Sequence, residues 1–265
     1  MQRVRLGDIY FCTMGDNSEK SGIFTSVCCG AGATWPSALS KAYSEFVERK
    51  AFEKSDFTST TGFAAFPYIF SKKLAIKKAR RLAYLEMLER YAWQVWFANM
   101  NVSYRRPSSI LEENSIFFEE FKKDIEILNI YKLLPSLADE TVSMVILYAE
   151  TPDGLICASS AKETELAAER NALKELYMHA VGLHRLKKDK ILPTTYYEKR
   201  VFWISGQKKR LESRLKCTGS EKIVVPFPIK YENIPTEYSD AYVVQRCSFE
   251  GYDREFITQD NEMYV

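Results

Sequence analysis

Hydrophobic and polar residues alternate in short runs at the start of the chain and settle into longer helical periods afterwards. Asp8–Thr13 and Gly22–Cys29 read as short β-like runs separated by polar turns. The second run ends at Gly30-Ala31-Gly32, which reads as a tight turn, or as a phosphate-wrapping strand–turn–helix junction into the helix after Thr34-Trp35-Pro36. Residues 55–62 are turn-rich, Gly62–Pro67 is apolar, and Ser71 is placed to cap a long helix reaching about Phe97. Residues 101–109 read as a loop. Ser115–Ile127 predicts an amphipathic helix with Phe117, Phe121 and Ile125 on one side. Residues 129–135 and 142–150 predict strands, and Pro152-Asp153-Gly154 turns the second into a hairpin with Leu155–Ser159. Glu163–His184 predicts a helix, followed by a helix around Tyr197–Lys216 and strands at Lys222–Phe227 and Ala241–Ser248. No low-complexity linker divides the pattern, so the expectation is one α+β domain over residues 1–265, an antiparallel sheet packed with helices.

Two of these helices carry the same text. Residues 38–52, ALSKAYSEFVERKAF, align without a gap on residues 79–93, ARRLAYLEMLERYAW, with seven of fifteen positions identical. The shared core is Glu45-x-x-Glu48-Arg49 and Glu86-x-x-Glu89-Arg90, preceded by Ala38/Ala79 and Ala42/Ala83. On a helix, residues three and four apart share a face, so each copy groups two carboxylates with one guanidinium. The alanines lie along the same stripe, where another backbone can approach closely. A weaker third copy, residues 168–181, keeps Ala168, Ala172 and Glu175 but has Met178 and His179 in place of the second Glu and the Arg. Three such helices in one domain would bring Glu45, Glu86 and Glu175 to one cavity. Clustered carboxylates repel unless a cation neutralises them, and Mg²⁺ with a nucleotide phosphate suits an all-oxygen donor set. Arginine forks suit phosphate oxygens. The plainer reading is a solvated helix face with weak ion pairs, the core lying on the side of Tyr43 and Val47 and of Tyr84 and Leu88.

Composition narrows the chemistry. Thirty-seven basic against thirty-five acidic residues give a net charge of +2, which offers no case for a nucleic-acid binder or a membrane-surface protein. Basic runs such as Lys72-Lys73 and Lys77–Arg81 read as solvated helix faces. The start of the chain has no secretory h-region, and no apolar run is long enough to span a bilayer, so the expectation is a cytoplasmic protein with reduced thiols. The six cysteines show no C-x-x-C spacing, and His179 and His184 are the only histidines, which argues against zinc. A catalytic Cys–His pair has no positive signal.

The order of Gly30-Ala31-Gly32, the first E-x-x-E-R helix, Gly62-Phe63-Ala64-Ala65, the second E-x-x-E-R helix, the Ala-rich third helix and Tyr242–Ser248 resembles the YcaO domain. The resemblance runs from about Ile23 to the C-terminal region. It implies an ATP-binding fold without a P-loop, in which ATP and Mg²⁺ activate a peptide-backbone amide and a nucleophile then yields an azoline, a thioamide or an amidine. By matching position it implies that Glu45, Glu48, Glu86, Glu89 and Glu175 hold Mg²⁺ or the nucleotide. Arg49 and Arg90 would orient phosphates or carboxylates. The chain departs from the family pattern at Ala31, Lys41, Thr61, Lys78 and Asn171, all beside the implied nucleotide site. No stretch is available for a peptide-clamp domain, so the resemblance implies a precursor peptide and a separate peptide-binding or nucleophile-delivering partner protein. It also admits a homodimer. Two other readings stand beside it: a degenerate, non-catalytic YcaO-like subunit that binds peptide or partner, and an unrelated protein with charged helices.

Overall fold

A computed structural model describes residues 1–14, 28–52, 61–69, 71–98, 101–107, 109–111, 113–127, 129–190, 192–193, 196–217, 219–226 and 228–249. In chain order the elements are β1 (Gln2–Leu6), β2 (Ile9–Met14), β3 (Cys28–Gly32), α1 (Trp35–Phe52), β4 (Gly62–Pro67), α2 (Lys72–Ala98), β5 (Tyr104–Arg105), α3 (Ile116–Asp124) and β6 (Ile130–Pro135). They continue with β7 (Ser143–Thr151), β8 (Gly154–Lys162), α4 (Glu165–Lys188), α5 (Tyr196–Ser205), α6 (Lys208–Lys216), β9 (Ile229–Asn233) and β10 (Tyr242–Phe249). Every pairing between these strands is antiparallel, so the architecture is α+β. No helix among the described residues is long and apolar enough to cross a membrane.

The chain gathers into two compact units. The first comprises Met1–Met87 and Pro226–Asp253. It holds two three-stranded sheets, ordered β1-β2-β3 and β4-β10-β9. Thr34 opens α1, with its hydroxyl and carbonyl accepting from the Ser37 and Ala38 amides, and Pro36 sits in the first turn where its missing N–H costs nothing. The small face of α1 lies directly on β3: a Cβ on Gly30 would run into the Ala38 carbonyl and the Ala42 amide. Gly62 of β4 stands against the Ala83 carbonyl and the Met87 amide of α2 in the same way. The alanine stripe of the repeat therefore marks close approach of a helix to a strand backbone, as its spacing suggests. The core of this unit joins Val47 and Ala51 to Phe63, Ala65 and Val244.

The second unit comprises Leu88–Val225. Its sheet is ordered β5-β6-β7-β8, and α4 packs on β7 and β8. Thr164 caps α4 by accepting from the Ala167 amide, and Ser115 caps α3 by accepting from the Phe118 amide. Arg214 of α6 is fully buried, donating to the Trp96, Val102 and Cys217 carbonyls with its guanidinium over the Trp96 and Tyr104 rings. A second buried charge, Lys132 of β6, pairs with Glu169 of α4 at 2.7 Å, with side chains 1% and 0% exposed.

Several expectations change. Gly30-Ala31-Gly32 is not a turn but the end of β3, since Gly30 is needed under α1 and not at a reversal. Helix Tyr197–Lys216 is two helices, broken at Gly206-Gln207. Lys222–Phe227 forms no strand over its described residues. Glu221 and Ile223 make isolated bridges to Val102 and Leu137, and Pro226 has no N–H to extend a ladder. The run Gly22–Val27 and the last residues of the tail lie outside the described residues. The cap at Ser71, the hairpin β7–β8 and the buried Phe117 and Phe121 agree with the sequence reading.

Candidate functional site

The site is built from strand edges as much as from helices. Strands β3, β4 and β8 are each the outer strand of their sheet among the described residues, so each has amides with no strand to pair with. The repeated glutamates accept from these amides. In the first unit, Glu45 Oε2 accepts from the Cys29 amide of β3 at 2.6 Å, and Glu86 Oε2 accepts from the Phe63 amide of β4 at 2.7 Å. Glu48 Oε1 accepts from the Ala65 amide, two residues further along β4, at 2.8 Å. Alternate amides of β4 thus go to carboxylates of two different helices. In the second unit, Glu89 repeats the arrangement on β8, accepting from the Ala161 amide at 3.2 Å and the Ser159 hydroxyl at 3.1 Å. The first Glu of each motif holds the strand that precedes its helix. The second Glu holds a strand that follows it.

The electrostatics single out Glu48. Burial, then the Glu86 carboxylate, raises its pKa well above the ordinary carboxylate range, with Glu45 adding to the rise. The Ala65 amide and Arg49 work the other way without cancelling it. Arg49 is committed to Glu45, donating to Oε1 at 2.5 Å. Burial opposes the Arg49 charge most strongly, but Glu45, Cys28 and Glu48 together outweigh it, leaving that pKa above its ordinary value. The first unit therefore brings together Glu45, Glu48, Glu86 and Arg49. In the second unit, Arg90 is part-exposed beside Glu89 on α2. Glu175 accepts from Asn171 at 2.9 Å, a residue four earlier on α4.

Carboxylate oxygens are the right donors for Mg²⁺, and the raised pKa of Glu48 marks charge that a divalent cation would relieve. Oε2 of Glu48 has no hydrogen-bond partner among the described residues. A closed cage is not preformed: among the described residues, no group of three or more His, Cys, Asp or Glu side chains is arranged to hold a metal ion.

The other nucleophile-bearing residues are quiet. All six cysteines are free. Burial, followed by the Glu45 charge, pushes Cys28 and Cys29 up to about 12, and burial pushes Cys157 up to about 11. His179, which stands where the repeat has arginine, is buried, and its Nδ1 lies 2.6 Å from the Cys157 carbonyl rather than bonding the thiol. Burial, then Arg200, lowers its pKa to about 3. A thiolate–imidazolium pair does not form there. Sequence reasoning missed the amide partners at Cys29, Phe63, Ala65 and Ala161, which carry no side-chain signature. It also missed the Lys132–Glu169 pair, whose signal was a lysine inside an apolar strand.

No family model and no curated protein matches the sequence. Solved structures do. The chain is similar to YcaO from Methanopyrus kandleri bound with AMPPCP and Mg²⁺, at TM-score 0.60 and 15% identity, covering 100% of this chain and 88% of that one. It is also similar to a chain of the E. coli microcin synthetase McbBCD complex, at TM-score 0.61 and 11% identity over 94% and 85% of the two chains. A third likeness is to the same complex with pro-MccB17 bound, at TM-score 0.59 and 10% identity over 90% and 86%. The chain has the fold of the YcaO proteins.

Proposed function

We propose that this chain is a divergent YcaO-type protein that binds ATP with Mg²⁺ and activates a backbone amide of a precursor peptide, leading to an azoline or thioamide. The observation that carries the reading is Glu48: a carboxylate bonded to a strand amide whose charge is opposed by Glu86 and Glu45. Glu45, Glu48 and Glu86 would hold the metal–nucleotide complex, with Arg49 as the guanidinium beside them. Glu89, Arg90 and Glu175 enter the proposal through the sequence resemblance alone. Bound there, Mg·ATP supplies the electrophilic phosphorus and the charge that stabilises phosphoryl transfer. The chain's own residues fix the carboxylates: the Cys29, Phe63 and Ala65 amides orient Glu45, Glu86 and Glu48. Glu48 gives up a proton more reluctantly than an ordinary carboxyl, so metal binding should release a proton as it draws the group into its ionised form. The likeness to the McbBCD complex supports a separate partner protein and a peptide substrate.

A second reading, a non-catalytic YcaO-fold subunit that binds peptide or partner, is favoured by a specific observation. Both oxygens of Glu45 and both oxygens of Glu89 already accept from protein donors. Thermal unfolding with Mg²⁺ alone, ATP alone and Mg·ATP separates the two. The enzyme reading expects stabilisation by Mg·ATP only, lost in Glu86→Gln and reduced in Glu48→Gln. A midpoint that saturating Mg·ATP leaves unmoved, with and without a partner protein, overturns it in favour of the second reading.

A further inference from the structure

Strand β1 is an outer strand, and no main-chain partner for its free edge occurs among the described residues. Its side chains alternate, so Met1, Arg3 and Arg5 share one face. Arg5 lies opposite Tyr10 in the β1–β2 register, its guanidinium 5.3 Å from that ring, while Arg3 lies 5.7 Å from the Trp35 ring. Tyr10 and Trp35 meet edge to face at 4.9 Å. The two exposed guanidiniums are thereby held in a row, and neither has a carboxylate partner among the described residues. Beyond Arg3 the same face runs into an apolar groove of about 630 Å³, lined by Met1, Met14, Pro36, Leu39, Tyr43 and Tyr242. On α1, Pro36, Leu39 and Tyr43 recur at helical spacing, so the groove floor is an outward stripe of that helix.

We propose that this edge docks an extended peptide by strand addition, one with an apolar side chain and two acidic side chains at alternate positions. Main-chain hydrogen bonds to β1 supply the pairing, and side chains at every second residue face Met1, Arg3 and Arg5. The apolar residue enters the groove beside Leu39, and the acidic residues meet the guanidiniums. Charge decides against a second copy of the same edge, because Arg3 and Arg5 would face like charges. The proposal rests on β1, β2 and α1 and not on the carboxylate site, so it stands or falls without nucleotide.

The test is fluorescence anisotropy with the full chain and labelled peptides carrying Leu-Thr-Glu-Thr-Glu, or its reverse, in the absence of Mg²⁺ and ATP. One direction should bind. The double variant Arg3→Glu/Arg5→Glu should weaken binding roughly tenfold or more, and a peptide with lysines for glutamates should recover it on that variant. Leu39→Lys should weaken the original peptide while sparing one that lacks the leucine. The proposal is overturned if the charge-swapped pair shows no recovery, or if a peptide N-methylated at alternate residues binds as well as the parent. It is equally overturned if a single-stranded oligonucleotide displaces the peptide at lower concentration than unlabelled peptide does, or if neither peptide binds by about 1 mM, where contacts contribute only ~4 kcal/mol.

Discussion

The Ala65 amide donates to Oε1 of Glu48 at 2.8 Å, tying the open edge of β4 to a helix seventeen residues earlier. The bond favours the ionised carboxylate, while burial and the Glu86 and Glu45 charges oppose it and prevail. A carboxyl whose folded pKa is raised favours folding in its protonated state. Its contribution is complete below the ordinary carboxylate pKa and is lost as pH rises through the folded value. Glu48→Gln keeps an acceptor for Ala65 and removes the charge. We expect the variant to be more stable than the parent at pH 7, by about 1 kcal/mol, and the gain to vanish near pH 4. Urea midpoints at the two pH values check this. A variant less stable at pH 7 means the charge is compensated and the proposed cation site loses its motive.

Gly30 and Gly62 should tolerate nothing larger. Alanine at either position drives a methyl group into helix backbone, which cannot rotate aside. Each substitution is expected to destabilise by about 3 kcal/mol or more, at the upper end of overpacking costs. Chemical denaturation of Gly62→Ala that matches the parent within error would show that the helix can lift off the strand.

His179 sets an acid limit. Its pKa falls from 6.5 to about 3 in the folded state, so the unfolded chain takes up the proton first. Stability from this group is complete above pH 6.5 and declines as pH falls toward 3, by at most about 1.4 kcal/mol per pH unit. His179→Asn, which keeps a side-chain donor for the Cys157 carbonyl, should flatten that decline. Unfolding midpoints at pH 7, 6 and 5 for both proteins measure it. Parallel slopes would mean another group governs the acid limb.

Lys132 donates to both Glu169 and Glu165, at 2.7 and 3.0 Å. Lys132→Met alone takes the ammonium from the buried Glu169 carboxylate and should cost about 3–5 kcal/mol, whereas Lys132→Met with Glu169→Leu should recover most of that loss. A double-mutant cycle by urea denaturation checks both outcomes. A double variant as unstable as the single one would assign the loss to packing rather than charge.

How far these features could be read beforehand depended on where their signal resides. The E-x-x-E-R helices were legible because a gapless repeat records a shared environment, and the alanine stripe correctly announced close backbone contact at Ala38, Ala42 and Ala83. The carboxylate partners were not legible, because the Cys29, Phe63 and Ala65 amides belong to main chain that any residue supplies. Strand β4 hid for a related reason. Gly62–Ala65 is buried at every position, so it shows no alternation to read. Strand β1 hid behind its charges, Arg3 and Arg5 looking like a polar lead-in rather than an outer strand. Val224-Val225 misled in the opposite direction, its β-branched residues promising a ladder that the neighbouring prolines cannot extend.

Arg214 has a consequence for the order of assembly. It reaches the Trp96 carbonyl at the end of α2 from 118 residues further along the chain. A contact of that separation forms only after much of the intervening chain has been organised, because closing so long a loop is repaid late. The final turn of α2 should therefore be among the last parts of its unit to lock. A protein truncated before α6 would leave that turn fraying at carbonyls with no donor, a natural first point of attack for a protease.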